Sequence, residues 1–293
     1  MQSRPRRSAL YMPGSNARAL EKAKSLPADA LILDLEDAVA PDAKTAAREQ
    51  VCAAVRGGGY GPREVVIRVN GPDTPWGLDD LAAAAQAGPD AVLIPKVNAP
   101  GDIHAAAHAL RAASAPGHTR LWAMMETPRA LLEAGAIAAA AAAAGVDVFV
   151  MGTNDIAKET RARLTPGRAP MLAWLSHCLA AARAHGLEIL DGVFNDIADA
   201  DGFAAECEQG RDFGMDGKTL IHPSQVEICN AIFAPEAEEV ARARAVIAAF
   251  ARPENTTKGV LQLDGRMVER LHAAIAARTV ALADSIAARA GSL

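Results

Sequence analysis

The sequence is poor in aromatic residues and in cysteine. Phe, Trp and Tyr together make up 4% of the chain, and the four cysteines, Cys52, Cys178, Cys207 and Cys229, are widely spaced with no C-x-x-C pair. This spacing indicates neither a zinc cluster nor a disulfide framework, and it favours a reducing compartment. We therefore expect a cytoplasmic protein.

An excess of basic residues and a long apolar run are also absent. The formal net charge is -5 at pH 7, and no basic run is interleaved with aromatics, so a general affinity for nucleic acid is excluded. The apolar segment before Pro13-Gly14 is too short for a signal peptide. The alanine-rich segment that ends at Gly145 continues into VDVFVMG, and Asp147 and the glycines break this apolar run before it is long enough to span a membrane. We expect no nucleic-acid partner and no membrane partner.

Several common catalytic signatures are missing. The sequence has no G-x-S-x-G elbow and no G-x-x-x-x-G-K-[ST] loop. His104 and His108 have i, i+4 spacing but lack the H-E-x-x-H context, so their stretch reads as a solvated outer helix. Neither hydrolysis at an activated serine nor nucleotide binding at a P-loop is predicted.

The chain does contain eight short apolar or β-branched runs, each followed by a helical pattern. Such strands, buried on both faces and separated by helices, predict a parallel sheet, and eight units in about 225 residues are typical of a (β/α)8 barrel. The runs are SALYM (8–12), ALILDLE (30–36), VVIRVN (65–70), AVLIPK (91–96), LWAMME (121–126), VDVFVMG (146–152), EILDGV (188–193) and GKTLIH (217–222).

A helical extension follows the barrel. A helix is predicted after Ala234, a turn-rich hinge over residues 255–267, and a last helix that begins at Val268. We therefore predict an α/β protein with a TIM barrel over residues 1–234 and a C-terminal helical lid over residues 235–293.

Polar side chains follow almost every predicted strand. In a (β/α)8 barrel the C-terminal strand ends build the active site, so these side chains face one cleft. This also explains why acids stand at the end of a buried strand in LILDLEDAV, where an isolated carboxylate would be costly. The residues at these ends are Tyr11, Glu36, Asp37, Arg68, Asn70, Lys96, Glu126, Asn154, Asp155, Asp191, Asn195 and His222.

Glu126 and Asp155 are the predicted metal ligands. They follow adjacent strands, and Mg²⁺ accepts one or two protein carboxylates and leaves its other positions to water and substrate oxygens. A 2-oxo acid could chelate the ion through its carboxylate and carbonyl oxygens. The alternative is that each acid caps the next helix or pairs with Lys96 or Lys158.

Charged residues around this pair have two possible roles each. Arg68 suits a carboxylate or a developing enolate oxygen, or forms a buried ion pair with Glu36 or Asp37. One role for Glu36 and Asp37 is to orient metal-bound waters or the Arg68 side chain. The alternative for Asp37 is that it only caps its loop. Lys96 could form a Schiff base, although an electrostatic or structural role fits better.

Arg18 and Lys22 lie at i, i+4 on the first helix, beside the turn that contains Pro13-Gly14. The two side chains share one helix face, and the backbone N–H groups at the helix start add positive potential. This arrangement suits a phosphate group, whereas a solvated surface is the alternative.

At these residues the chain resembles the citrate lyase β-subunit-like group of the HpcH/HpaI aldolase family, which includes malyl-CoA and citramalyl-CoA lyases. The resemblance covers nearly the whole chain. It rests on an ordered set of motifs: RSALYMPGSNARALEKA, LDLEDAV, VIRVNG, IPKV, METPRAL, MGTNDIAKE, LDGVFNDI and DGKTLIHPSQ.

The resemblance implies a Mg²⁺-dependent barrel, with Mn²⁺ as a possible substitute, that cleaves or forms a carbon–carbon bond between a CoA thioester and a 2-oxo acid. It implies Glu126 and Asp155 as metal ligands and Arg68 as a substrate contact. The CoA-binding positions that it implies are Tyr11, Arg18, Lys22, Ile221 and His222.

Family members also carry a C-terminal acid that reaches the active site of a neighbouring subunit. The matching stretch is DGRMVERLH, which makes Glu269 the counterpart of a residue that is usually Asp. Glu269 is then the expected proton donor to the enolate carbon, or the base in the reverse direction. The resemblance implies a homotrimer or a homohexamer, and an ordinary solvent-facing helix residue is the alternative for Glu269.

Three alternative activities stay open. A malyl-CoA thioesterase would use the same metal site, but water would attack the thioester in place of carbon–carbon cleavage. The Glu at position 269 is compatible with this activity. A citrate lyase β-subunit would act on an acyl-carrier-protein thioester within a complex. A CoA-independent pyruvate aldolase typically uses a histidine base early in the barrel, and the first two predicted strands contain none.

Overall fold

The computed structural model describes residues 4–291. Eight parallel strands form a closed barrel, in which β8 pairs with β1 through Ser8 and Lys218. The predicted (β/α)8 barrel is confirmed. The strands are β1 (Ser8–Pro13), β2 (Ala30–Asp34), β3 (Glu64–Arg68), β4 (Ala91–Ile94), β5 (Arg120–Met125), β6 (Val146–Met151), β7 (Glu188–Asp191) and β8 (Gly217–Leu220).

Helices follow the strands along the chain. Some of the starts have a side-chain cap: Asn16 accepts a hydrogen bond from the backbone N–H of Ala19, and Thr127 accepts one from the backbone N–H of Ala130. The helices are α1 (Ala17–Ala23), α2 (Lys44–Gly57), α3 (Gly77–Ala87), α4 (Pro100–Ala112), α5 (Pro128–Leu132), α6 (Ala134–Ala144), α7 (Thr153–Thr160), α8 (Leu172–Ala184), α9 (Ala200–Phe213), α10 (Gln225–Ile232), α11 (Ala237–Ala251) and α12 (Arg270–Ala290).

The hydrophobic core of the barrel has two layers. One lies between the strands and the surrounding helices, and the other fills the barrel interior with side chains that include Ile32, Leu93, Trp122 and Val150. All residues of β2 and β3 are buried, because both faces of a barrel strand are covered. The interior is therefore packed, and the space for a ligand lies beyond the strand ends.

Most of the predicted runs extend one or two residues past the strands. Strand β2 ends at Asp34, two residues before Glu36, and β5 ends at Met125, one residue before Glu126. The polar groups predicted at the strand ends therefore lie mainly in the loops that begin there. Arg68 and Asp191 are exceptions, since each is the last residue of its strand.

The described chain divides into two compact units, Arg6–Phe233 and a second unit that contains the described residues from Ala234 onward. The predicted domain limits, 1–234 and 235–293, stay predictions. The second unit contains α11, α12 and an antiparallel pair, β9 (Val260–Leu263) and β10 (Arg266–Glu269). Its small core includes Val246, Phe250 and Val268.

Two expectations for the C-terminal segment are wrong. Most of the predicted hinge over residues 255–267 forms the β9–β10 hairpin, and the last helix begins at Arg270 rather than at Val268. Asp264 and Gly265 form the turn, with φ angles of 48° and 74°. Two consecutive residues with positive φ are typical of the tight turns that join antiparallel strands.

Helix α12 is long and apolar enough to cross a membrane by length and composition alone. Length and composition are weak evidence for a membrane span in this helix. Arg278 and Asp284 lie within it, and charged groups are costly in hydrocarbon. The expectation of no membrane partner stays a prediction.

Candidate active site

A cleft of about 300 Å³ lies at the C-terminal ends of the barrel strands. It brings together both predicted metal ligands and Arg68, although these residues are far apart in sequence. Its lining also contains four other residues that the sequence analysis named, Tyr11, Asp37, Asn154 and Ile221. The lining residues are Tyr11, Asp34, Asp37, Ala38, Arg68, Met124, Glu126, Met151, Gly152, Thr153, Asn154, Asp155, Val193, Thr219 and Ile221.

Glu126 is fully buried, and its two carboxylate oxygens have different surroundings. Oε1 accepts a 2.7 Å hydrogen bond from the backbone N–H of Lys96, which has a left-handed φ of 51°. Oε2 has no hydrogen-bond partner among the described residues. A buried acceptor without a partner is costly, so a ligand at Oε2 would be strongly favoured.

The electrostatic surroundings of Glu126 also favour a cation. Burial raises the pKa of Glu126 to about 8, and the negative charge of Glu36 contributes to the increase. Asp155 contributes in the same direction, whereas the Lys96 N–H and the Arg68 charge oppose it. A divalent cation in this position would stabilise the ionised carboxylate.

Asp155 lies in the first turn of α7, and its side chain is 19% exposed with Lys158 Nζ at 3.8 Å. The two carboxylates thus line one cleft, one buried and one partly open. No group of three or more His, Cys, Asp or Glu residues in the described chain forms a metal cage. Two carboxylates nevertheless fit Mg²⁺, which usually keeps several waters.

Gly152 leaves the space that the Glu126 side chain occupies. An added Cβ would lie 2.4 Å from Glu126 Cβ and 2.5 Å from Glu126 Oε2. Its φ of -100° is available to other residues, so glycine is required by space rather than by backbone conformation.

Arg68 is buried, and its main partner is Asp34. Its Nε and Nη2 donate to the two Asp34 oxygens at 2.6 and 2.7 Å, which is a bidentate ion pair. The expected partners are also present: Nη1 lies 2.8 Å from Glu36 Oε2 and 3.3 Å from Asp37 Oδ2. The centroid of the Tyr11 ring lies 4.7 Å from the guanidinium carbon, which is a cation–π contact.

Glu36 is buried beside the cleft and is paired with two cations. Its Oε1 lies 2.5 Å from Lys96 Nζ, in addition to the contact with Arg68. Burial would lower the pKa of Lys96, but the Glu36 carboxylate outweighs burial and raises it. A Schiff base requires a neutral amine, so this ion pair disfavours that role for Lys96.

The remaining predicted CoA positions are on the surface. Arg18 and Lys22 are exposed on α1, on the loop side of β1. Ile221 lines the cleft with 37% of its surface exposed, and the His222 ring accepts or donates a hydrogen bond at 2.7 Å with Ser224 Oγ. Their role in binding stays a prediction.

Glu269 belongs to the second compact unit. It is the last residue of β10 and the N-cap position of α12, where its backbone N–H donates to His272 Nδ1 at 2.9 Å. His104 and His108 are exposed on α4, in agreement with the expected solvated helix.

Comparison with known proteins places the chain in a family. The model of the HpcH/HpaI aldolase/citrate lyase family matches residues 7–223. The chain belongs to this family. The family resemblance found in the sequence motifs is therefore confirmed.

Individual relatives of this HpcH/HpaI family member differ in their named activity. The chain is 52% identical over 287 residues to the (3S)-malyl-CoA thioesterase of Cereibacter sphaeroides, covering 98% of both chains. It is 35% identical over 272 residues to the citrate lyase subunit beta of Escherichia coli, covering 91% of this chain and 89% of the relative. The CitE protein of Mycobacterium tuberculosis, solved with magnesium, acetoacetate and coenzyme A, has a TM-score of 0.72 and 28% identity and covers 100% of both chains.

Sequence reasoning named Asp191 at a strand end of this family member but missed its buried partners. Arg168 and Lys218 are buried and form ion pairs with Asp191, at 2.7 and 3.1 Å, and with Glu206, at 3.4 and 2.6 Å. Arg168 lies in the loop after α7, among proline and glycine residues without periodicity. The one sequence feature that could have indicated this buried network was Lys218, a lysine inside the apolar run of β8.

Proposed function

We propose that the chain is a Mg²⁺-dependent enzyme that acts on a malyl-CoA-type thioester, with hydrolysis to the free acid and CoA as the net reaction. The observation that carries the proposal is the Glu126 and Asp155 pair in one cleft, with Glu126 Oε2 buried and unpartnered among the described residues. The 52% identity to a (3S)-malyl-CoA thioesterase over 98% of both chains supports the substrate class.

Glu126 and Asp155 would hold the metal ion, and the backbone N–H of Lys96 fixes the orientation of the Glu126 carboxylate. When bound, Mg²⁺ supplies Lewis-acid polarisation of substrate oxygens. The donor set is suitable because both groups are hard oxygen ligands and the cleft leaves room for water and substrate.

Arg68 would stabilise negative charge on the substrate through the part of its guanidinium group that lines the cleft. Its Nε and Nη2 are held by Asp34, which fixes the guanidinium plane before substrate binds. Glu36 and Asp37 lie on the Nη1 side, and Lys96 partly neutralises Glu36. Asp34 is therefore a positioning residue, and Arg68 the residue that would contact substrate.

The CoA end of the substrate would lie toward β1 and β8. Tyr11 and Ile221 line the cleft on this side, and Arg18 and Lys22 place two cations on the nearby surface of α1. Cationic side chains suit the phosphate groups of CoA, and the hydroxyl-bearing acid end would face Glu126 and Asp155.

Carbon–carbon cleavage is the second candidate. It would convert malyl-CoA to acetyl-CoA and glyoxylate, with Arg68 stabilising the thioester enolate and Glu269 protonating it. Membership of the HpcH/HpaI aldolase/citrate lyase family and the 35% identity to a citrate lyase subunit beta favour it. Hydrolysis and cleavage share every step of substrate binding and differ in whether water attacks the thioester.

The test is a product analysis with purified protein, (3S)-malyl-CoA and Mg²⁺. Free CoA thiol and malate are expected in equal amounts, with glyoxylate as a minor product, and a chelator should abolish turnover. Glyoxylate with acetyl-CoA as the main products would replace hydrolysis by cleavage. No turnover of this ester or of citramalyl-CoA would overturn the proposed function.

A further inference from the structure

We propose that a second cavity beside the cleft binds an uncharged amide carbonyl group carried on a slender apolar chain. The proposal goes beyond the thioester chemistry of the metal cleft and depends on the geometry of a different set of residues.

The cavity has a volume of about 410 Å³ and lies within the barrel unit. This size is typical of small-molecule sites. Thr153 and Val193 line both the cavity and the metal cleft, so the two spaces share a wall. The cavity is lined by Thr153, Leu164, Thr165, Pro166, Gly167, Arg168, Val193, Phe194, Asn195, Asp196, Asp199, Gly202, Ala205, Glu206 and Gln209.

Arg168 provides an unused donor in this cavity. The residue is 3% exposed, Nη1 donates to both Asp191 oxygens at 2.7 and 2.8 Å, and Nε donates to Gln209 Oε1 at 2.9 Å. Its Nη2 has no hydrogen-bond partner among the described residues. Because a buried unpaired N–H is costly, a ligand that carries an acceptor oxygen would be favoured here.

The backbone holds this guanidinium in place. Gly167 and Arg168 both have left-handed φ angles, 74° and 54°, and arginine rarely adopts this conformation. Gln209 fixes the turn by donating to the Gly167 carbonyl at 2.9 Å. Local strain of this kind at a buried polar side chain is typical of a functional position.

The charge balance excludes an anionic ligand. Arg168 and Lys218 are matched by Asp191 and Glu206 in the buried network, so no positive charge remains uncompensated there. The cavity edge adds the carboxylate of Asp199, together with Asp196. A carboxylate or phosphate would meet these acids, whereas an uncharged carbonyl oxygen would need only the Nη2 donor.

The other walls suit an apolar chain. Leu164, Pro166, Val193 and Phe194 supply aliphatic and aromatic surface. The Phe194 ring is held by Phe203, with ring centroids 5.9 Å apart. The cavity therefore combines a buried donor and apolar surface with neutral polar side chains, which include Thr165 and Asn195. Apolar walls with a few placed polar groups are typical of small-molecule sites, and neutral polar groups suit an uncharged amide.

The ligand would be a molecule separate from the thioester. The CoA end of the thioester lies toward β1 and β8 in the proposed function, whereas the cavity is lined by residues that follow β6 and β7 along the chain. The cavity would therefore be a second ligand site, in which Arg168 recognises the uncharged carbonyl.

The test uses calorimetric titration of D-pantetheine, which is uncharged and contains two amides, into the full chain. Ala205 is exposed on α9 and lines the cavity, so Ala205→Leu fills the space without disturbing the core. This variant should weaken pantetheine binding by at least about tenfold. Ala53→Leu, at an exposed alanine of α2, is the matched control and should bind as the wild type.

Arg168→Lys, which keeps the charge but removes Nη2, should also weaken binding. The proposal is overturned if pantetheine does not bind, if Ala205→Leu binds it as the wild type does, or if Ala205→Leu weakens the binding of malonate as much as that of pantetheine. Because the thioester arm lies elsewhere, Ala205→Leu should leave KM and kcat for the thioester unchanged. A raised KM in this variant would show that the cavity belongs to the substrate site and would also overturn the proposal. Pantetheine binding is read without turnover, so failure of the proposed function would be seen separately.

Discussion

At the residue scale, Gly152 determines whether the Glu126 carboxylate can keep its position. A Cβ at residue 152 would overlap Glu126 Cβ and Oε2, at 2.4 and 2.5 Å. We predict that Gly152→Ala displaces the carboxylate and lowers the affinity for Mg²⁺ by about 10- to 100-fold, which is the range for displaced metal-site support. Thermal-shift titration with Mg²⁺ measures this loss.

Gly135→Ala is the matched control for this substitution. A Cβ at Gly135, in α6, would meet nothing within 4 Å. The control should bind Mg²⁺ as the wild type does. Equal Mg²⁺ affinity in Gly152→Ala and wild type would show that Glu126 is not a ligand.

Asp191 lies at the centre of the second buried network. Burial would raise the pKa of Asp191, but the charges of Lys218 and Arg168 outweigh burial and lower it. A carboxyl with a lowered folded pKa contributes stability above its unfolded pKa of about 4, and this contribution is lost as the pH falls. Asp191→Asn should therefore lower the free energy of unfolding by about 3 to 5 kcal/mol at pH 7, because it leaves Lys218 and Arg168 short of a counter-charge.

Urea unfolding from pH 7 to pH 3 measures this cost. The difference in free energy of unfolding between wild type and Asp191→Asn should become smaller below pH 4. Asp212→Asn, at a side chain that is 72% exposed, is the control and should change little. A constant difference across the pH range would be inconsistent with an ionised Asp191 in the folded state.

The residue types of the site were predictable from sequence, but their pairings were only partly so. Polar residues after apolar runs indicated Glu126, Asp155 and Arg68. The sequence did not show that Asp34 is the bidentate partner of Arg68, because Glu36 and Asp37 are equally near in sequence. The choice depends on register, since Asp34 and Arg68 are directly paired between β2 and β3.

At the element scale, the eight barrel strands were predictable because each is a run of buried aliphatic residues between turn signals. The β9–β10 hairpin was not, because its strands have four residues each and are largely exposed. The useful signal was Asp264-Gly265, a pair that favours a tight turn between strands. A periodicity search alone does not detect such short, half-exposed strands.

This hairpin provides a prediction for the second unit. Gly265 has a φ of 74°, a left-handed conformation that costs other residues about 1 kcal/mol. Gly265→Ala should therefore increase hydrogen exchange at the amides of residues 260–269. Gly259→Ala, where an added Cβ meets nothing within 4 Å, should leave exchange unchanged. Equal exchange in both variants would mean that the turn conformation does not limit hairpin stability.

At the scale of the whole molecule, the role of Glu269 depends on assembly. The second unit exposes several apolar side chains, including Met267 at 68%, Leu271 at 55% and Ile275 at 56%. Such a surface suits contact with another subunit, which is the arrangement implied by the family resemblance.

Subunit mixing tests this arrangement. Glu126→Gln and Glu269→Gln proteins should each have little carbon–carbon cleavage activity alone, because Glu126 would hold the metal and Glu269 would protonate the enolate. If Glu269 acts in a neighbouring subunit, unfolding and refolding them together in equal amounts should restore about a quarter of wild-type activity by random assembly. Absence of any recovery, with normal oligomers formed, would contradict action between subunits.

The central claim is that Glu126 and Asp155 together hold one divalent ion in the cleft. Calorimetric titration of Mg²⁺ into wild-type protein, Glu126→Gln and Asp155→Asn tests it most directly, with Asp212→Asn as a control for loss of a surface carboxylate. We predict one site per chain in the wild type and in the control, and at least about tenfold weaker binding in each of the other two variants. Undiminished Mg²⁺ binding in both Glu126→Gln and Asp155→Asn would contradict the account.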